Sequence, residues 1–226
     1  MTGPDRLRQA IATLAGPDIA VAVQHTQRPD GSLWPEEFPA IARAVPARRA
    51  EFTAGRVAAR QAMAALGLPL AAVPMGADRA PQWPAGTLGS IAHAGGVCVA
   101  VLARRGAVRG IGIDLEPAVP LATDLWDTVL RPDERAALAL FDPAHQGLQA
   151  ARIFAAKEAA YKCQYPQSQT ILDFDAMLIR LTNARFTASF TRDIPPFRQD
   201  DHFDGQFGLC EGFIIALVVQ RGAQSL

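Results

Sequence analysis

Between Gly110 and Pro117 the chain reads Gly-Ile-Gly-Ile-Asp-Leu-Glu-Pro, and this strict alternation fits a β-strand. Successive side chains of a strand point to opposite faces. Ile111, Ile113 and Leu115 then share an apolar face bound for a core, and Gly110, Gly112, Asp114 and Glu116 share the other. Two carboxylates side by side repel each other, and a divalent cation between them reverses the sign. Magnesium suits the pair, because it prefers oxygen ligands and takes one or two carboxylates plus substrate phosphates. The two glycines would leave the carboxylate face open. The competing reading is a polar strand end that runs into a proline turn.

Periodicity orders the rest of the chain around this strand. Ile19–Gln24 predicts a strand. Arg48 to Leu66 predicts a helix, with Phe52, Val57, Ala59, Met63 and Leu66 at three- and four-residue steps and Gly67 as its stop. Gly89–His93 and Val97–Ala103 flank an Ala94-Gly95-Gly96 turn. Arg104-Arg105-Gly106 then turns into Val108–Leu115, which predicts a three-strand meander. Helices are expected at Pro132–Phe141 and Gly147–Cys163. Strands are expected at Met177–Thr182, Arg185–Thr191, Gln206–Cys210 and Phe213–Val219. This order predicts an α+β protein with two halves and mainly antiparallel sheets. The join falls near Pro117, giving halves 1–117 and 118–226.

Charge narrows the choice of partner. The 226 residues carry 22 basic and 22 acidic side chains, which argues against a general nucleic-acid or membrane-surface binder. An anionic ligand would need a local basic cluster. Cys98, Cys163 and Cys210 are odd in number and widely spaced, so neither a disulfide framework nor a zinc site is expected. All three read as buried small apolar residues, and reduced thiols fit a cytoplasmic location. No secretory signal is read at the N-terminus, and the apolar runs are strand-sized, too short for a bilayer span.

Three further stretches carry chemistry. Phe154-Ala155-Ala156-Lys157-Glu158-Ala159-Ala160-Tyr161-Lys162 has strong helix propensity. Glu158 and Lys162 share a face, with Lys157 about 100° round from Glu158. They are either an ordinary surface ion pair or a third acid with a phosphate-balancing cation. Ser90-Ile91-Ala92-His93 ends a strand, where His93 could meet a phosphate or be satisfied by its own turn. Arg79-Ala80-Pro81-Gln82-Trp83 joins a guanidinium, which can fork onto phosphate, to an indole that either stacks or packs.

Together these segments resemble the 4′-phosphopantetheinyl transferases. The closest type is the two-halved monomeric group that serves siderophore and other nonribosomal peptide synthetases. Pro35-Glu36-Glu37, Arg49 to Arg56, Arg79-Ala80-Pro81, Ser90 to His93, Gly112 to Glu116 and Phe154 to Lys162 follow that group's motif order. Ala155 and Ala159 depart from it, standing where the family often has a small polar residue or serine.

The resemblance implies two similar α/β halves packed as a pseudo-dimer. It implies transfer of the 4′-phosphopantetheine arm of coenzyme A to a serine of an apo acyl or peptidyl carrier protein, with release of adenosine 3′,5′-bisphosphate. Asp114, Glu116 and Glu158 would hold magnesium. His93, Lys157 and Lys162 would contact the coenzyme phosphates. Arg49, Arg56 and Arg79 would serve its 3′-phosphate and adenine end. Glu158, directly or through a metal-bound water, would take the serine proton, and Lys162 would balance charge on the bridging oxygen. An acidic carrier helix would dock near the helices from Pro132 to Cys163. A nucleotide phosphohydrolase and a non-enzymatic binding module are the rival readings.

Overall fold

The computed structural model describes residues 2–222; Met1 and residues 223–226, at the outer ends of the two expected halves, lie outside the described residues. The chain divides into two compact units. The first runs to Arg109 and regains the chain at Arg221, and the second is Gly110–Gln220. The division thus falls before the acid-bearing strand segment rather than at Pro117, because that segment belongs to the second unit's sheet.

The first unit opens with helix α1 (Gly3–Ala15), which periodicity had not suggested. Its start is a capping box: Thr2 accepts the Asp5 N–H, and the Asp5 carboxylate accepts the Thr2 N–H. Leu7, Ile11 and Ala15, at four-residue steps, form its buried stripe. Strand β1 (Ile19–His25), a 3₁₀ helix (Pro35–Ile41), α2 (Pro46–Ala65), β2 (Thr87–Ala94) and β3 (Val97–Arg104) follow. The sheet order is β1-β3-β2, antiparallel at both pairings. Helix α2 sets Ala58, Ala59, Ala62 and Met63 against Ala20, Ala22, Ala100 and Leu102 of the sheet. The β2–β3 hairpin forms as expected. Its turn residues Gly95 and Gly96 both have positive φ, at 52° and 83°, as a type I′ turn requires.

The second unit contains most of β4 (Val108–Pro117), then α3 (Trp126–Val129), α4 (Pro132–Leu138), α5 (Pro143–Ser168), β5 (Met177–Leu181), β6 (Arg185–Phe190), β7 (His202–Cys210) and β8 (Phe213–Arg221). Its sheet order is β4-β8-β7-β6-β5, and β5 to β8 pair antiparallel. The expected meander therefore stops at β3. Both edges of β3 are already taken by β1 and β2, so β4 has no edge there to join. Helix α5 starts earlier than expected, capped by Asp142 accepting the Ala144 N–H at 2.8 Å. It packs Ile153, Ala156 and Ala160 into a core with Phe186, Phe190 and Phe203. Ile111, Ile113 and Leu115 are buried, as alternation predicts.

The α+β class and the two halves with mainly antiparallel sheets hold. Among the described residues no helix is long and apolar enough to cross a membrane. Cys98 and Cys163 are buried as expected, whereas Cys210 is only half-buried.

Candidate active site

The glycine face of β4 is filled rather than open. A Cβ at Gly112 would collide with the Ala159 carbonyl oxygen and lie 2.7 Å from the Cys163 nitrogen. A Cβ at Gly110 would lie 2.8 Å from Cys163 Sγ. The glycines therefore let the α5 backbone rest directly on the strand. Ala159 and Cys163 make that contact, and each follows a candidate site residue, Glu158 and Lys162. Close packing is what carries these two side chains to Asp114, further along the same strand face.

Lys162 Nζ stands 2.6 Å from Asp114 Oδ1 and 3.9 Å from Glu158 Oε2. Asp114 is 4% exposed, and among the described residues nothing donates a hydrogen bond to its buried Oδ2. Burial, then the charge of Asp114, pushes the Glu116 carboxyl up to about 7, with Glu158 adding and Lys162 opposing. Burial likewise raises Glu158, against the pull of Lys162. For Lys162, burial favours the neutral amine, but Asp114, Glu158 and Glu116 outweigh it and raise its pKa. Three carboxylates thus surround one ammonium.

Among the described residues no group of three His, Cys, Asp or Glu is drawn together closely enough to hold a metal ion as it stands. The donor set nevertheless fits a hard cation. It offers oxygens alone, an excess of negative charge over Lys162, and one buried carboxylate oxygen to which nothing donates.

A cavity of about 280 Å³ opens beside Glu158, walled by Tyr161, Leu172, Phe174 and Met177. Lys157 also lines it but does not join the acids. Its ammonium is 3% exposed and meets Glu134 Oε2, Val129 O and Phe174 O, each at 2.7 Å. These use all three of its protons. Burial lowers the Lys157 pKa, and Glu134 opposes that shift. Glu134, fully buried, also accepts the Arg131 N–H at 2.8 Å and the Ile179 N–H at 2.7 Å. Sequence reading passed over Glu134. Its signal was the Pro132-Asp133-Glu134 helix start, a common pattern without chemical content.

In the first unit His93 is exposed, with Nε2 at 3.0 Å from Arg48 Nη1 and 3.7 Å from Glu51 Oε2. Arg48 entered the sequence reading only as the start of the predicted helix. Arg49 donates to the Ala44 and Ala42 carbonyls, holding the turn before α2. Arg56 is 6% exposed, donates to the Val73 carbonyl at 2.8 Å and lies 3.8 Å over the Phe52 ring. Burial draws its pKa down to about 10, which leaves it charged at neutral pH. Arg79 sits in an exposed loop at φ 69°. Trp83 packs over Gly89, where a Cβ would fall 2.6 Å from the ring. Glu37 of the Pro-Glu-Glu segment is buried against Arg60 at 2.7 Å.

Two family models cover most of the chain. Residues 35–103 match the 4′-phosphopantetheinyl transferase N-terminal domain, and residues 110–218 match the 4′-phosphopantetheinyl transferase superfamily. The chain is 42% identical over 159 residues to the 4′-phosphopantetheinyl transferase PptT of Mycobacterium tuberculosis, a match covering 70% of this chain and 69% of that protein. It is 36% identical over 202 residues to the transferase Svp of Streptomyces mobaraensis, covering 84% and 79%. It is 33% identical over 220 residues to the transferase Npt of Nocardia iowensis, covering 90% and 96%.

Proposed function

Because the chain belongs to the 4′-phosphopantetheinyl transferase superfamily, we propose that it moves the 4′-phosphopantetheine arm of coenzyme A onto a serine of an apo acyl or peptidyl carrier protein. The observation that carries this is the junction of Asp114 and Glu116 on β4 with Glu158 and Lys162 on α5, made by contact at Gly112.

The serine oxygen attacks the β-phosphorus of coenzyme A. A new P–O bond forms to the serine, and the bond to the bridging oxygen breaks. Adenosine 3′,5′-bisphosphate leaves with that oxygen. Such chemistry depends on positioning and on offsetting charge more than on covalent help from the protein. Glu158 takes the serine proton. Its burial, which raises its pKa, makes it a better proton acceptor than an exposed carboxylate. Lys162 balances the charge that develops on the leaving oxygen.

Asp114, Glu116 and Glu158 are the residues that would hold magnesium, with the free Oδ2 of Asp114 as a donor. When bound, the ion would neutralise pyrophosphate charge. The cavity beside Glu158 has Tyr161, Leu172, Phe174 and Met177 among its walls, with Asp173 and Lys157 beside them, which suits an uncharged pantetheine arm with amide groups to bind. For the first unit, His93 with Arg48 is the proposed phosphate contact. Arg49, Arg56 and Arg79 remain candidates for the 3′-phosphate and adenine end. Arg49 and Arg56 also bind backbone carbonyls, so part of their role is to shape the loops near them. Lys157 belongs to the fold, since its three protons are engaged inside the unit. A monomer acting in the cytoplasm completes the proposal.

The test is to incubate the protein with coenzyme A, magnesium and several apo carriers, and to read the carrier masses. A carrier that gains the phosphopantetheine mass supports the proposal. Nucleotide release with no carrier gain points to a hydrolase instead.

A further inference from the structure

The two units repeat one device. In the first, Pro35 opens a short helix whose Glu37 accepts the Trp34 N–H at 2.9 Å, the Val73 N–H at 2.9 Å and the Arg60 guanidinium at 2.7 Å. In the second, Pro132 opens α4, whose Glu134 accepts the Arg131 N–H at 2.8 Å, the Ile179 N–H at 2.7 Å and the Lys157 ammonium at 2.7 Å. Trp34 and Arg131, Glu37 and Glu134, and Arg60 and Lys157 all stand 97 positions apart. The sheets agree, since β1-β3-β2 and β4-β8-β7 each set the unit's first strand beside its last.

The same offset pairs Gln61 with Glu158 and Ala64 with Tyr161. All four residues line cavities. The first unit's cavity is about 250 Å³, with Trp34, Val57 and Leu70 among its walls, against about 280 Å³ in the second. Gln24, buried on β1, donates to Gln61 Oε1 at 2.7 Å. At the position of Gln61 the second unit has Glu158, on the helix that meets the acid-bearing strand β4.

The electrostatics differ. Gln61 stands where the second unit has Glu158, and Gln24 binds it in place of a strand carboxylate, while the buried pairs Glu37–Arg60 and Glu134–Lys157 balance alike in both units. Asp30 is the one carboxylate in the lining, and Gln24 Nε2 approaches it at 3.4 Å. Aromatic and aliphatic walls with neutral hydrogen-bonding groups remain, with no acid cluster to draw a divalent cation.

We propose that the cavity of the first unit is a second binding site, which takes an uncharged, amide-bearing pantetheine-type arm without metal and without transferring it. The proposal rests on the reading of the second unit's cavity as the arm site. A ligand held this way is fixed by wall contact and amide hydrogen bonds, so its binding does not depend on magnesium.

The probe is free pantetheine, titrated by calorimetry into the full chain with chelator and saturating coenzyme A, which fills the second unit's cavity. The wild type binds one further equivalent. Ala64→Trp, which fills the first cavity, weakens that binding by about tenfold or more, while coenzyme A affinity and transfer rate stay unchanged. Leu70→Glu, at the exposed rim, gives a second block should the tryptophan disturb the helix. No further equivalent, or one that neither variant weakens, overturns the proposal. Tyr161→Ala checks the parent reading. If coenzyme A affinity ignores that change, the arm site in the second unit is wrong and the first-unit proposal falls with it.

Discussion

Gly112 on β4 and Ala159 on α5 touch through bare backbone, with no room for a Cβ between them. This contact sets the depth of α5 on the sheet, and with it the 2.6 Å approach of Lys162 to Asp114. Gly112→Ala forces the helix outward. The expected cost is about 1–3 kcal/mol or more, as for other overpacked interiors. Transfer should fall further than stability, because the acid cluster loses its register. A denaturant melt alongside a transfer assay checks this, and near-wild-type values in both would contradict it.

The raised Glu116 carboxyl predicts a pH dependence in metal-free protein. Its folded pKa is about 7 and its ordinary value 4.5. Between these the unfolded chain has lost the proton while the folded chain keeps it, so stability falls as pH rises. The contribution is whole below the ordinary value and gone once pH passes the folded one. In chelator, wild-type Tm should therefore drop more steeply from pH 5 to 7.5 than that of Glu116→Gln. Magnesium should offset much of the drop. Parallel curves for the two proteins would count against the assignment.

Lys157 and Glu134 form a buried pair, and breaking one side should be costly. Lys157→Met strands a buried carboxylate and is expected to lose about 3–5 kcal/mol. Glu134→Met with Lys157→Met removes both charges and should recover most of that loss. The double variant should also keep substantial transfer per folded molecule, since the lysine holds backbone rather than phosphate. Loss of all transfer in a well-folded double variant would return Lys157 to the phosphates.

The strand bearing the acids was legible because period-two alternation is local, and Ile111, Ile113 and Leu115 are buried as that pattern requires. What Gly110 and Gly112 face was not legible. An empty strand face looks the same in sequence whether a ligand or a helix fills it, and only packing shows α5 there. The strand partner of β4 was also hidden. Short connections suggested a hairpin with β3, but strand pairing depends on which edges distant segments leave free, and β1 had claimed that one. Helix α1 had a start signal in Thr2, Pro4 and Asp5 and a stripe in Leu7, Ile11 and Ala15, but three apolar positions over one short helix are a weak periodic signal beside the cap. Lys157 misled for a different reason. Its neighbour Glu158 faces the acids, but a turn of about 100° sends Lys157 to a partner 23 residues upstream, Glu134.

The central claim is that Asp114, Glu158 and Lys162 act as one catalytic cluster. The most direct test is single-turnover transfer to an apo carrier by wild type and Glu158→Gln, which keeps shape while removing charge and basicity. Wild type should transfer the arm, and Glu158→Gln should be slower by roughly 10²–10⁴-fold, the range of a lost general base, with an unchanged Tm. Transfer by Glu158→Gln at the wild-type rate would contradict the account.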